Sequence, residues 1–337
     1  MRIGIDAMGG DRAPGVEVAG TLAARELLGS EDRIVLVGRE PLIREHLKAD
    51  NDWQDFIEIR HAEQVIGMDE TPVEALRTKP DSSISVLFQM HRDGELDAGI
   101  SAGNTGACVA AAQMRLRRLN GVHRPGIVIL MPTYYGPVAV CDVGANVNCR
   151  PHHLLQYGIM ASLYVSIIGG VKNPRVGLLS IGEEDAKGNE LVRQTRDLMK
   201  ANRNCNFIGN VEGRDLFRGV CDVVVCEGFV GNVAIKLMEG MAEGVLKAIL
   251  HEVVAAMPDR EDVVKRAGGS IVTKYDFNEY GGAPLLGVGG ICIICHGASD
   301  SRGIKNAVRV AMDVSKYRVN ERITELLAQP RKGALHG

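Results

Sequence analysis

Five times along this chain a short apolar strand pattern ends in a polar, glycine-rich turn and passes directly into a helical pattern. The clearest case is Leu96 to Leu116, LDAGISAGNTGACVAAAQMRL, where a strand through Ile100 breaks at Ser101-Ala102-Gly103-Asn104-Thr105-Gly106 and feeds an alanine-rich helix. Arg2 to Asp6 opens into Ala7-Met8-Gly9-Gly10-Asp11, and Val176 to Ile181 leads into Gly182-Glu183-Glu184-Asp185-Ala186-Lys187-Gly188. Asp222 to Cys226 gives Glu227-Gly228-Phe229-Val230-Gly231-Asn232, and Ile291 to Cys295 gives His296-Gly297-Ala298-Ser299-Asp300. Each unit lays a strand in a sheet and returns over its face, which confines the chain to α/β architectures. Glycine lets turn backbone approach a ligand, and the first helical N–H groups sit unpaired at the positive end of the helix dipole. A single such turn is explained equally well as a ligand-free tight connection. Their recurrence is what points to function, because ligands gather at the carboxyl ends of strands in open α/β sheets. The turns are expected to converge on one pocket for a small anion.

Strand patterns fall at 2–6, 33–37, 56–60, 97–101, 127–131, 137–142, 175–181, 206–209, 221–226 and 288–295, with helices such as 14–28, 105–118, 152–168, 188–201 and 301–327 between them. This alternation predicts a three-layer α/β/α sandwich around a mostly parallel sheet. The pair 127–131 and 137–142, joined by Pro132-Thr133-Tyr134-Tyr135-Gly136, reads as a hairpin and makes the sheet mixed. No fixed-period repeat or low-complexity linker divides the chain, so residues 1–337 are expected to form one domain. Residues 232–280 stand apart. Val233, Met238, Met241, Val245, Ile249, Val253 and Met257 mark an apolar stripe on a long helix that Pro258 stops. The segment is expected to be a helical projection used for dimer contact or as a membrane tip.

Composition narrows the function. Aromatic residues make up only 4% of the chain, and 39 Lys and Arg balance 42 Asp and Glu. Base stacking and a general polyanion partner are both disfavoured, so no nucleic acid is expected. No leader pattern opens the chain and no apolar run approaches the ~20 residues of a membrane span, so a cytoplasmic protein is expected. The eight cysteines read as reduced thiols. Cys292-Ile293-Ile294-Cys295 lies in a β run whose alternation puts its sulfurs on opposite faces, so no metal site is expected there. His152-His153 follows Pro151 at a helix start and has a structural or surface role.

The common anion-binding signatures fail. Gly287-Val288-Gly289-Gly290 precedes a strand instead of following one, Lys187 belongs to no Gly-Lys-Ser/Thr loop, and no G-x-S-x-G elbow occurs. What remains is backbone donors with the amides Asn104 and Asn232, the carboxylates Asp6, Asp11, Glu183 and Glu184, and Lys187. Such a kit suits inorganic phosphate acting as nucleophile, with the protein supplying orientation and oxyanion stabilisation and needing no cofactor. A thioester is a natural electrophile, since its departing thiol has a pKa near ~8.5 and needs little protonation. An NAD-dependent dehydrogenase of a hydroxy dicarboxylic acid is the alternative, and a non-enzymatic scaffold for lipid-synthesis proteins is a third.

Six motifs in order, DAMGGD (6–11), SAGNTGA (101–107), DVGAN (142–146), GEEDAKG (182–188), EGFVGN (227–232) and HGASD (296–300), resemble the bacterial phosphate acyltransferase family, often called PlsX. The resemblance implies conversion of acyl carrier protein thioester plus phosphate into acyl phosphate, early in phospholipid synthesis. It also implies a homodimer and a sheet like that of the isocitrate and isopropylmalate dehydrogenases. Contact with a membrane glycerol-phosphate acyltransferase fits the same setting. Lys187 and Asn232 match the family's catalytic positions. The phosphate seat is assigned to Gly9, Gly10, Gly103, Asn104, Thr105 and Gly106, with Asp6 and His296 bordering it. Arg77 and Lys79 are secondary contacts. Arg115, Arg117 and Arg118, with Arg124 just beyond, form the densest basic cluster and are expected to dock the acidic carrier. Asn148 departs from the family's aspartate. The projection is charged and only modestly apolar, which predicts weak, peripheral contact with the inner membrane.

Overall fold

The computed structural model describes residues 1–328; residues 329–337, the end of the expected domain, lie outside that range. Eleven strands form one sheet: β1 (Arg2–Asp6), β2 (Arg33–Gly38), β3 (Ile57–His61), β4 (Ala98–Ser101), β5 (Gly126–Met131), β6 (Val138–Cys141), β7 (Arg175–Leu179), β8 (Asn206–Val211), β9 (Val223–Val225), β10 (Ala283–Leu286) and β11 (Ile291–Ile294). The helices are α1 (Gly15–Ala23), α2 (Glu40–Leu47), α3 (Pro72–Thr78), α4 (Ser83–Arg92), α5 (Thr105–Leu116), α6 (Pro151–Ile168), α7 (Glu190–Lys200), α8 (Gly228–Ala256), α9 (Glu261–Tyr275), α10 (Ser301–Lys316) and α11 (Val319–Ala328).

The strand order is β3-β2-β1-β4-β11-β10-β5-β6-β9-β7-β8. Apolar side chains of α1, α2, α6, α7, α10 and α11 cover one face, with Tyr157 and Tyr164 fully buried. Helices α3, α4 and α5 cover the first half of the other face. Ile235 and Met238 of α8 pack on its second half. This is the expected α/β/α sandwich with a mixed sheet.

Polarity reverses across the sheet. Strands β3, β2, β1, β4 and β11 are mutually parallel. β10 opposes β11, β5 opposes β10 and β6 opposes β5. Beyond them β9, β7 and β8 run parallel to β6. The carboxyl ends of the first group and of the β6 group therefore open on opposite edges of the sheet.

Several boundaries differ from the sequence reading. The run at 288–295 shortens to β11, and β10 appears ahead of it; Gly287, at φ +94°, turns the chain between them. The 301–327 helix divides into α10 and α11 at Arg318, whose φ of 54° no helix continues. Pro258 ends α8 as expected, but α9 then folds back against it, and Leu250 of α8 packs on Gly268 of α9. Along α8, Phe229, Val233, Leu237, Met241, Val245 and Ile249 recur every four residues, and each is at least half exposed. That spacing lays them along one slowly drifting stripe that the described residues leave open.

Candidate active site

The first edge carries the turns after β1, β4 and β11. Gly9 and Gly103 touch backbone to backbone: a Cβ built on Gly9 would lie 2.6 Å from the amide nitrogen of Gly103. Both turns close over Asp6, which is fully buried and accepts hydrogen bonds from the Met8 N–H at 3.1 Å and the Ser101 hydroxyl at 2.8 Å. Burial pushes the Asp6 carboxyl upward against these donors. The Asn104 side chain is wholly committed. Its Oδ1 caps α5 through the Ala107 N–H at 3.0 Å, and its Nδ2 donates to the carbonyls of Gly67, Met68 and Glu70. Asn104 thus shapes the edge by tying the 67–70 loop to α5. The N–H groups of Gly10 and Gly103 are also occupied, by Glu17 and by the Ser101 hydroxyl. The N–H groups of Thr105 and Gly106, first in α5, have no partner among the described residues, so the anion-seating donors concentrate there. His296 is exposed and its Nδ1 accepts the Ala298 N–H at 3.1 Å. Lys79 is taken up by Glu70 at 2.5 Å and by the Val65 carbonyl.

The second edge carries the turns after β6, β9 and β7. Asp142, fully buried, organises it. Its Oδ1 accepts N–H groups from Ile127, Gly144 and Ala145, and its Oδ2 accepts the Asn146 N–H at 2.7 Å. The Asn146 carbonyl in turn accepts the Gly228 N–H at 2.8 Å, fastening the start of α8. Gly228 and Gly231 permit that contact; a Cβ on Gly231 would stand 2.0 Å from the Asp142 carbonyl oxygen. Helix α8 begins at Gly228 and is capped by Glu227, which accepts the Phe229 and Val230 N–H groups. Asn232 is therefore free of any capping duty: it lies one turn inside the helix, exposed, facing Gly144. Lys187 is likewise exposed and forms no ion pair among the described residues. This edge thus offers side-chain donors.

The expected single pocket is not formed within one chain. Lys187 and Asn232 follow β7 and β9, whereas Asp6, Gly9, Gly10, Gly103, Asn104, Thr105, Gly106 and His296 follow β1, β4 and β11 on the opposite edge. Six inter-strand steps separate β1 from β9, roughly 29 Å of sheet at ~4.8 Å each. Helix α5 starts at the first edge and ends at the second, where the Leu116 carbonyl meets Gly289 at the foot of β11. Arg115, Arg117 and Arg118 therefore lie at the edge of Asn232, away from the phosphate turns. Arg115 acts on Asp93. Arg117 sits at φ 62°, ψ −173°, a conformation that suits glycine.

Two groups escaped the sequence reading. Asp142 and Asn146 lie within a quoted motif, but only the folded turn shows them holding the second edge together. Glu17, on α1, is 1% exposed and accepts the Gly10 N–H. No local signal marks it. Glu183, Glu212 and Asp215 bring carboxylate oxygens within 4.8 Å of one another. Arg214 pairs with Glu212, and Asp215 accepts the Glu212 N–H and faces Arg218, so two of the three are already engaged.

The fold is a three-layer α/β architecture shared with solved structures of low sequence identity. A phosphotransacetylase from Streptococcus pyogenes superposes with a TM-score of 0.60 over 95% of this chain and 94% of its own, at 14% identity. A family model described as fatty acid synthesis protein matches residues 1–322. The phosphate acyltransferase of Geotalea uraniireducens strain Rf4 is 45% identical over 331 residues, covering 98% of this chain and 95% of its own. That of Geobacter sulfurreducens is 46% identical over 327 residues, 96% of this chain and 94% of its own. The chain belongs to the phosphate acyltransferase family and is an acyl-transferring enzyme. The dehydrogenase alternative is not favoured.

Proposed function

We propose that this enzyme converts a long-chain acyl thioester on acyl carrier protein and inorganic phosphate into acyl phosphate and free carrier, an early step of phospholipid synthesis. A phosphate oxygen attacks the thioester carbonyl carbon, the tetrahedral oxyanion collapses, and the C–S bond breaks to release the carrier thiolate, which is protonated from solvent. Lys187 neutralises the oxyanion or the phosphate, and the Asn232 amide orients the carbonyl. No cofactor takes part in this reading.

The observation that carries the reading is the division of donors between two edges, in a chain of this family. Backbone donors at Thr105 and Gly106 suit phosphate, and the exposed side chains of Lys187 and Asn232 suit the reacting carbonyl. A homodimer reconciles them: a second copy brings its Lys187 and Asn232 against the first copy's phosphate turns. The exposed stripe from Phe229 to Ile249 supports such pairing. Arg115, Arg117 and Arg118 receive the carrier beside Asn232.

We place the enzyme in the cytoplasm with at most weak contact at the inner membrane face and its glycerol-phosphate acyltransferase. No helix among the described residues is long and apolar enough to cross a membrane. Lys265 at the projection is already paired with Glu261 at 2.5 Å, which reduces its pull on anionic lipid.

Mixing enzyme, acyl carrier thioester and phosphate, then trapping with hydroxylamine, tests the reaction. Phosphate-dependent hydroxamate is expected; its absence would refute the proposal.

A further inference from the structure

The second edge carries a basic surface that extends past the α5 arginines. The loop after α5 and the first turn of α6 meet there. The Arg118 guanidinium donates to the His123 carbonyl. The His123 ring lies 4.7 Å from that of His152, which lies 4.3 Å from that of His153. Arg124 reaches Asn146 Oδ1 at 3.4 Å, and the Arg150 N–H donates to His153 Nδ1 at 3.1 Å. Arg118, His123, Arg124 and Arg150 are exposed, and none of the three guanidiniums forms an ion pair among the described residues.

We propose that Arg118, His123, Arg124, Arg150 and His152 form a proton-sensitive docking surface for an acidic protein, the acyl carrier of the proposed reaction, and this inference rests on that reading. The charges are exposed and spread over two elements, an arrangement that meets a row of carboxylates along a helix better than it wraps one small anion. The surface also borders the site. Asn146, held by Arg124, accepts the Gly228 N–H one turn before Asn232. A carrier seated here has its prosthetic arm beside the catalytic amide.

Proton sensitivity follows from what surrounds the rings. Burial, then the charges of His123 and Arg150, push His152 below the ordinary imidazole range. Burial, then His152, Arg124, His123 and Arg150, push His153 down to about 4. Every charge named acts in the same direction. The carboxylates of the adjoining elements are engaged elsewhere: Asp142 accepts four backbone N–H groups, and Glu227 caps α8. An acidic partner reverses the local sign, so His152, packed against the His123 ring, takes up a proton as it docks, and affinity rises as pH falls. His153 is buried, and as acceptor of the Arg150 N–H it holds that residue in place.

Fluorescence anisotropy of labelled acyl carrier protein on the full-length protein, between pH 8 and pH 6 at fixed ionic strength, reads this directly. One linked proton changes affinity by up to about tenfold per pH unit, so the carrier Kd is expected to fall about five- to tenfold across that range. A His123→Ala/His152→Ala variant is expected to bind throughout as weakly as the wild type does at pH 8. Arg124→Gln is expected to weaken binding while keeping the pH slope. A flat wild-type profile, or the same slope in the double-histidine variant, overturns the inference. So does tighter, pH-dependent binding of a duplex RNA of equal charge. Binding is read without turnover, so lack of acyl phosphate beside a normal pH slope refutes the proposed reaction and leaves this surface standing.

Discussion

The backbone N–H of Gly10 donates to Oε1 of Glu17 at 3.1 Å, while Oε2 of the same carboxyl is buried without a partner among the described residues. Burial first, then the charge of Asp6, raises Glu17 to about 7. The sign follows from linkage. A carboxyl whose folded pKa exceeds its unfolded value, ~4.3, contributes stability that is present below ~4.3 and is lost as pH rises to about 7. Glu17→Gln is expected to be more stable than wild type at pH 8, by about 1–3 kcal/mol, and nearly equal to it at pH 4. Urea denaturation at both values checks this, and equal midpoints at pH 8 would contradict it.

Lys187→Ala and Asn232→Ala should each lower kcat on the order of 10²–10³-fold with the thermal midpoint unchanged. Turnover within a factor of two of wild type in both variants would remove them from the mechanism.

Sharing of the site between copies is tested by mixing. Gly103→Val, which crowds Ile84 and Asp6 where a Cβ already lies 3.1 and 3.2 Å away, should disable the phosphate turn. Denatured and co-refolded with Lys187→Ala, it is expected to regain activity. Each mixed dimer then holds one intact site and one doubly defective site. No regain above the sum of the separate variants would place both edges' functions within one chain.

Arg117 is held at φ 62°, ψ −173° with its carbonyl accepting the Gly289 N–H at 3.0 Å. Relief of that backbone strain should make Arg117→Gly about 1 kcal/mol more stable, while its carrier KM rises and loses salt dependence. A destabilised variant with unaltered carrier KM would show that Arg117 serves the fold alone.

Gly231→Ala sets a Cβ 2.0 Å from the Asp142 carbonyl oxygen. The start of α8 must move to admit it, at a cost of about 1–3 kcal/mol, and Asn232 moves with it. Both the thermal midpoint and kcat are expected to fall; wild-type values for both would mean that the turn yields freely.

The sequence determined the local units: strand patterns, glycine turns and the stop at Pro258. Each depends on a few neighbouring residues, as do the motifs that carry the family resemblance. Tertiary structure decided which units share an edge. The segment Ala283-Pro284-Leu285-Leu286 is short and contains proline, which argues against a strand, yet it pairs antiparallel on both sides as β10. One of the three antiparallel pairings that reverse the sheet joins residues more than a hundred positions apart, Leu285 with Ile127. Local pattern carries no record of it. The same holds for Glu17, an unremarkable helical residue until α1 is laid beneath the Gly10 turn, and for His123 and His152, which the α5 loop and α6 bring together. The polar turns were legible because a strand end, a glycine turn and a helix start are set by neighbouring residues; their division between two edges was not, because sheet order is a property of the whole chain.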